Sequence, residues 1–249
     1  MKFLAVATLV FGFAAGMDSA PTQLVARDCS AEVAAFNLAR REKRGITLDK
    51  RTIYQGLQNL TCVLAPEVAK TNYVANAPVR SDITGGQTGL ALTLDVGVMD
   101  VTTCQPMQNT MVEVWGPNAL GNYGNNFLRG SFPTTSSGIA EFQTIFPGFS
   151  DGANHLNVAV HQSSSLTSPT AHVGQVFFTD RWTDVITMTA AYTQNTHKRT
   201  MNAQDSNYAA ANKAGYSAIV DIESIHDDWP EGIVGYITVG INPSHSLDA

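Results

Sequence analysis

The chain has 249 residues, with 15 Lys and Arg against 21 Asp and Glu and a formal charge of −6. Charged residues are few and none form a basic stripe, so the sequence offers no footprint for a nucleic-acid partner. The length fits one all-β domain with an N-terminal extension.

The chain opens with Lys2, an apolar run from Phe3 to Ala15 and small residues from Ala14 to Ala20. That is the layout of a secretory leader, so residues 1–20 read as a signal peptide and the mature protein as secreted. The run falls short of the roughly 20 apolar residues that span a bilayer, and no later stretch is longer, so no membrane contact is expected of the mature form. Residues 21–61 read as a helix and linker. Between Asp28 and Arg44, the residues Ala31, Ala34, Ala35 and Leu38 recur at i, i+3, i+4 and i+7 and define an apolar face, Asp28 or Ser30 can cap the start, and Gly45 closes the end. Arg40-Arg41 and Lys43-Arg44 read as a solvated helix end, and with Lys50-Arg51 they also form dibasic pairs of the kind cut in secretory pathways. Asn59-Leu60-Thr61 is an N-glycosylation sequon, with Asn59 the candidate acceptor.

Three cysteines in an oxidising compartment imply one disulfide and one remaining thiol. Cys62 with Cys104 is the pairing favoured by position, since both fall where strands begin or end. Cys29 with Cys62 competes, because it would pin the helix to the domain.

Residues 62–249 read as a β-sandwich. Leu90, Leu92, Leu94, Val96 and Val98 alternate with Ala91, Thr93, Asp95, Gly97 and Met99, the period of a half-buried strand. Residues 100–106 supply a turn. Further strands are expected at Met111 to Trp115, Ala140 to Phe146, His155 to His161, Val173 to Phe178 and Ile233 to Ile241. Residues 203–218, rich in Ala and Asn, read as a short helix or a long loop.

In order and spacing, CVLAPE (62–67), VRSDIT (79–84), LTLDVGVMDVTTCQP (92–106), VEVW (112–115), GNY (121–123), FLRG (127–130), FQTIFPG (142–148), HLNV (155–158), HVGQVFF (172–178), NAQD (202–205) and YITVGIN (236–242) resemble the secreted fungal intradiol ring-cleavage dioxygenases. The resemblance implies an intradiol dioxygenase-like β-sandwich with an N-terminal helical extension. It also implies a ferric ion, Fe(III), held by two Tyr and two His, and a small catechol-type aromatic partner whose ring is opened by dioxygen. Phenolate is a hard anionic donor, and a ferric ion lowers the phenol pKa far enough to ionise it.

Carried over residue by residue, the metal ligands fall on Tyr123 and His155. The second Tyr falls on Ser150 and the second His on Asn157, so half of the ligand set is replaced. The family's pocket Arg falls near Ala153. Tyr73, Asp151 and Gly116 are candidate pocket residues, and Asp151 is the one new donor within reach on the loop. His161 shares a strand face with His155 but lies six residues on, roughly 20 Å away. Two functions follow from the resemblance: a secreted Fe(III)-dependent intradiol dioxygenase, or a non-catalytic secreted binding protein on the same scaffold.

Overall fold

A computed structural model describes residues 29–45, 67–213, 217–225 and 229–247. The expected leader at 1–20, the sequon at Asn59, the thiol of Cys62 and the pair Lys50-Arg51 lie outside the described residues. Two sheets pack face to face. One carries β1 (Ala91–Asp100), β2 (Gln105–Pro106), β5 (Ile139–Ile145), β8 (Asp221–Ser224) and β9 (Ile233–Ile241), with β1 at its centre, parallel to β9 and antiparallel to β5 and β2. The other runs β4 (Arg129–Pro133), β3 (Met111–Trp115), β6 (His155–His161), β7 (Thr170–Phe177), with every neighbour antiparallel.

Period-two alternation explains the layers. Leu92, Leu94, Val96 and Val98 of β1 face Val112, Val114, Leu156, Val158 and Val160 of the second sheet and are all buried in one core with Phe142, Ile237 and Val239. Each such side chain contributes about 1.5–3 kcal/mol by leaving water. Phe146 and Phe178, with ring centroids 4.6 Å apart, close one end of it.

The sandwich and the N-terminal helix are as the sequence led one to expect, but the helix docks through a different face. α1 (Ser30–Glu42) buries Val33, Asn37, Arg40 and Arg41, while Leu38 is exposed. The reason is the surface it meets. The outer face of the first sheet is acidic, and Arg40 pairs with Asp95 at 3.0 Å, while Arg41 pairs with Asp221 at 2.5 Å and Glu223 at 2.7 Å. The ring of Tyr236 lies beneath both guanidinium groups, 5.3 Å from that of Arg40 and 4.3 Å from that of Arg41. Burial lowers the Arg40 pKa to about 10, with Asp95 opposing the shift. Arg40-Arg41 is therefore a buried ionic anchor and not a solvated helix end. For the same reason β1 is buried on both faces instead of one, since Asp95, Gly97 and Met99 lie under the helix.

The disulfide also differs from both pairings that the sequence suggested. Cys29 is joined to Cys104, with Cα atoms 5.4 Å apart, because Cys29 stands at the start of α1 directly over the β1–β2 turn that carries Cys104. Gly97 allows the close approach of α1: a Cβ there would lie 2.3 Å from Phe36 Cε1 and 2.9 Å from Arg40 Nη1. Gly97→Ala is expected to destabilise the fold by a net 1–2 kcal/mol or so, the overpacking cost less the gain from restricting the unfolded chain, as read by urea unfolding. An unchanged midpoint would mean that the helix gives way freely.

Among the described residues, β2, β4, β8, a 3-10 turn at Trp229–Glu231 and α2 (Asp180–Thr187) escaped the sequence pattern, α2 being capped by Thr179, whose side chain accepts from the Trp182 amide. Residues 202–211 resolve into a 3-10 turn at Asn202–Gln204 and α3 (Ser206–Ala211). Among the described residues, no helix is long and apolar enough to cross a membrane.

Candidate functional site

The outer face of the second sheet presents residues that alternate with its core. Across the strands, Gln175, Asn157, Trp115 and Arg129 form one row, and Val173, Ala159, Glu113 and Ser131 the next. Loops and α3 fold over this face, so most of these polar groups are buried.

Tyr123 reaches the face from the loop between β3 and β4. Asn118 organises that loop: its Oδ1 accepts from the amides of Leu120 and Asn122, both at 3.0 Å, and Gly121 follows with φ +81°. A Cβ on Gly121 would meet the Phe149 carbonyl at 2.5 Å, which keeps the loop closed against the chain entering Ser150. Tyr123 is half-buried, and its hydroxyl accepts from Asn157 Nδ2 at 3.3 Å. Burial pushes its pKa up and the nearby charge of Asp151 adds to this, while Asn157 and Arg129 pull the other way. Asn157 Nδ2 also faces the Trp115 carbonyl at 3.5 Å, and its buried Oδ1 has no hydrogen-bond partner among the described residues.

His155 begins β6, two residues before Asn157 on the same face. Its Nδ1 donates to the Ala153 carbonyl at 2.7 Å, and its Nε2 accepts from Gln175 Nε2 at 3.0 Å. Gln175 Oε1 in turn accepts from Asn207 Nδ2 of α3 at 3.1 Å. Burial lowers the His155 pKa, so the ring is neutral near pH 7. Asp205 secures this corner, because its carboxylate caps α3 at the Tyr208 amide and accepts from the Ala153 amide. Gly152, at φ +75°, makes room for that carboxylate, since a Cβ would lie 2.4 Å from Asp205 Oδ2.

The remaining candidates are dispersed around this pair. Ser150 is half-buried and Asp151 exposed, with the charge of Asp151 felt by both Tyr123 and His155. Gly116 is buried and packs on the core side, where a Cβ would meet Leu156 Cδ2 at 2.3 Å. Tyr73 lies over the second row and donates to Glu113, at 2.9 Å from Oε1 and 3.2 Å from Oε2. His161 is held well apart from His155: its Nε2 donates to Glu113 Oε1 at 2.8 Å and its Nδ1 to the Ser168 carbonyl at 2.9 Å. Arg129 braces loops through the Gly124 and Asn72 carbonyls, and Trp115 Nε1 donates to the Thr71 carbonyl. A groove of about 360 Å³, lined by residues such as Gln87, Asn118, Leu120 and Gln194, includes none of Tyr123, Ser150, His155 or Asn157.

Gln175, Asn207 and Glu113 were not singled out from the sequence. Gln175 and Glu113 sit within HVGQ and VEVW, and strand alternation places them on the outer face. What they touch depends on strand register, which the sequence does not display.

No family model matches the chain, and no curated protein does. Solved structures do. An intradiol ring-cleavage dioxygenase from Tetranychus urticae is similar at 26% identity and a TM-score of 0.66, covering 75% of this chain and 98% of that one. A further dioxygenase structure matches at 26% identity and a TM-score of 0.65, with the same coverage. The dioxygenase domain of a carbohydrate-binding fusion protein from Streptomyces sp. SirexAA-E shares the fold at 19% identity and a TM-score of 0.52, covering 71% of this chain and 97% of that one. The chain thus has the intradiol dioxygenase β-sandwich and resembles that family over most of its length.

Proposed function

We propose that this chain is a non-catalytic, exported relative of the intradiol dioxygenases that keeps the sandwich and a site for a small catechol-type aromatic while lacking the ferric chemistry. The observation that carries the reading is the state of His155. A metal-ligating imidazole needs a free lone pair, and here Nδ1 is spent on the Ala153 carbonyl while Nε2 is taken by Gln175. The donor set points the same way. A ferric ion at the family position would find one phenol, one engaged imidazole, and a Ser hydroxyl and an Asn amide where anionic or nitrogen donors belong. The residues present do not fit the family's ferric ion.

The alternative is a ring-cleaving enzyme with iron on Tyr123 and His155. It is favoured by the unpartnered Asn157 Oδ1 beside Tyr123 and by the charge of Asp151 acting on both survivors. It requires His155 to release Gln175. Expression with iron supplied separates the two readings. A colourless, iron-free protein that takes up no dioxygen with catechol is the expected result. A visible tyrosinate-to-iron band that disappears in Tyr123→Phe would establish the enzyme instead.

A further inference from the structure

Residues 67–80 lie across the whole outer face of the second sheet. At the β7 edge the Val68 amide donates to the Val173 carbonyl, and Glu67 accepts from the Val173 amide at 2.8 Å and from His172 Nδ1 at 2.7 Å. At the β4 edge the Ser131 amide donates to the Pro78 carbonyl and the Arg80 amide to the Ser131 carbonyl. The segment therefore spans all four strands. It covers Trp115, Ala159 and Val173 and packs with Tyr123 in the same cluster. The rings of Tyr73 and Trp115 meet edge to face at 5.2 Å.

Midway across, the sheet holds it through Trp115 on the Thr71 carbonyl, Arg129 on the Asn72 carbonyl and Tyr73 on Glu113, and Glu113 is shared with His161. Both are almost wholly buried, at 1% and 3% exposure. The two nitrogens of His161 face only acceptors, the Glu113 carboxylate and the Ser168 carbonyl, so both contacts are made only by the doubly protonated ring. Loss of that proton removes one of the ring's two hydrogen bonds and strips the buried carboxylate of its cation, leaving it only neutral donors, the Tyr73 hydroxyl and at most one ring N–H, a costly arrangement in a low-dielectric site.

We propose that residues 67–80 form a pH-gated strap over the Tyr123–Asn157 site, closed while His161 is charged and released when it loses its proton. Other groups around the pair set the direction. Burial opposes the charged ring and Lys70 repels it, but the hydrogen bonds to Glu113 and Ser168 and the charge of Glu113 outweigh both and raise the His161 pKa. Lys70 itself is held over the Tyr73 ring at 4.8 Å and donates to Thr170, and Arg129 lies close enough to feel Glu113 and Tyr73. With a folded pKa above the unfolded one, the stabilisation is complete below about pH 6.5 and is lost as pH rises through the folded value. The strap therefore opens on the alkaline side.

Amide hydrogen exchange from pH 5.5 to 9, normalised to intrinsic rates, tests this. Residues 67–80 should lose at least tenfold in protection across a step that coincides with the titration of the His161 ring followed by NMR, while β1 and β9 stay unchanged. His161→Gln, which carries no charge, should abolish the step, and Glu113→Gln should move it to lower pH. Flat protection in the wild type, or a step that survives in His161→Gln, would overturn the proposal. Should that variant not fold, a wild-type step that fails to track the His161 titration overturns it equally.

Discussion

Arg41→Ala is expected to lower the unfolding free energy by about 3–5 kcal/mol in urea denaturation, the range for breaking a buried ion pair from one side. Arg41 is 1% exposed, and its guanidinium is the shared partner of Asp221 and Glu223. Truncation leaves two carboxylates under α1 with their main cation gone, and it also strips the Tyr236 ring of its closest cation. The size of the effect comes from the orphaned charges and not from the intrinsic worth of the pair. Arg41→Met combined with Asp221→Asn and Glu223→Gln should therefore cost less than Arg41→Ala alone. A loss below about 1 kcal/mol for Arg41→Ala would place the contact among weak surface pairs and contradict its burial.

The same residues mark where the sequence is readable and where it is not. The strands were legible where side chains alternate against a single apolar core, and Met111–Trp115, His155–His161 and Ile233–Ile241 match their expected limits. The helix was legible as a helix, but its buried face was not. An apolar stripe predicts a docking face only if the partner surface is apolar, and here Asp95, Asp221 and Glu223 select Arg40 and Arg41 over Ala31, Ala35 and Leu38. β4, with sequence RGSFP, carries no alternating run, and it forms because β3 offers it a full antiparallel register from Met111↔Pro133 to Trp115↔Arg129.

Motif order assigned ligand positions to Tyr123, His155 and Asn157, and the structure adds that Tyr123 and Asn157 are in hydrogen-bond contact. The partners that decide the chemistry come from far along the chain. Gln175 is 20 residues from His155, and Glu113 is 48 from His161. Only cross-strand register joins them. The sheet thus carries two polar centres side by side, one that engages His155 and one that contacts residues 67–80 through Tyr73.

Replacing Cys29 and Cys104 together by Ala is expected to cost about 4.5 kcal/mol, the chain-entropy value for a sequence separation of 75. The cross-link acts mainly on the unfolded chain, so the loss should appear even where α1 remains docked, and a reductant should reproduce it in the wild type. A second contribution is separable, because Cys29 starts the helix that Arg40 and Arg41 fasten. Cys29 lies in a small cluster with Val33, Met99, Val101 and Cys104, the main apolar contact of the helix. If the disulfide and the ion pairs hold the same helix, their losses cannot be independent. The combination with Arg41→Ala should then fall short of the sum, since a helix already released has no docking energy left to lose. Full additivity in urea unfolding would mean that the cross-link contributes nothing to the docked helix and acts on the unfolded state alone.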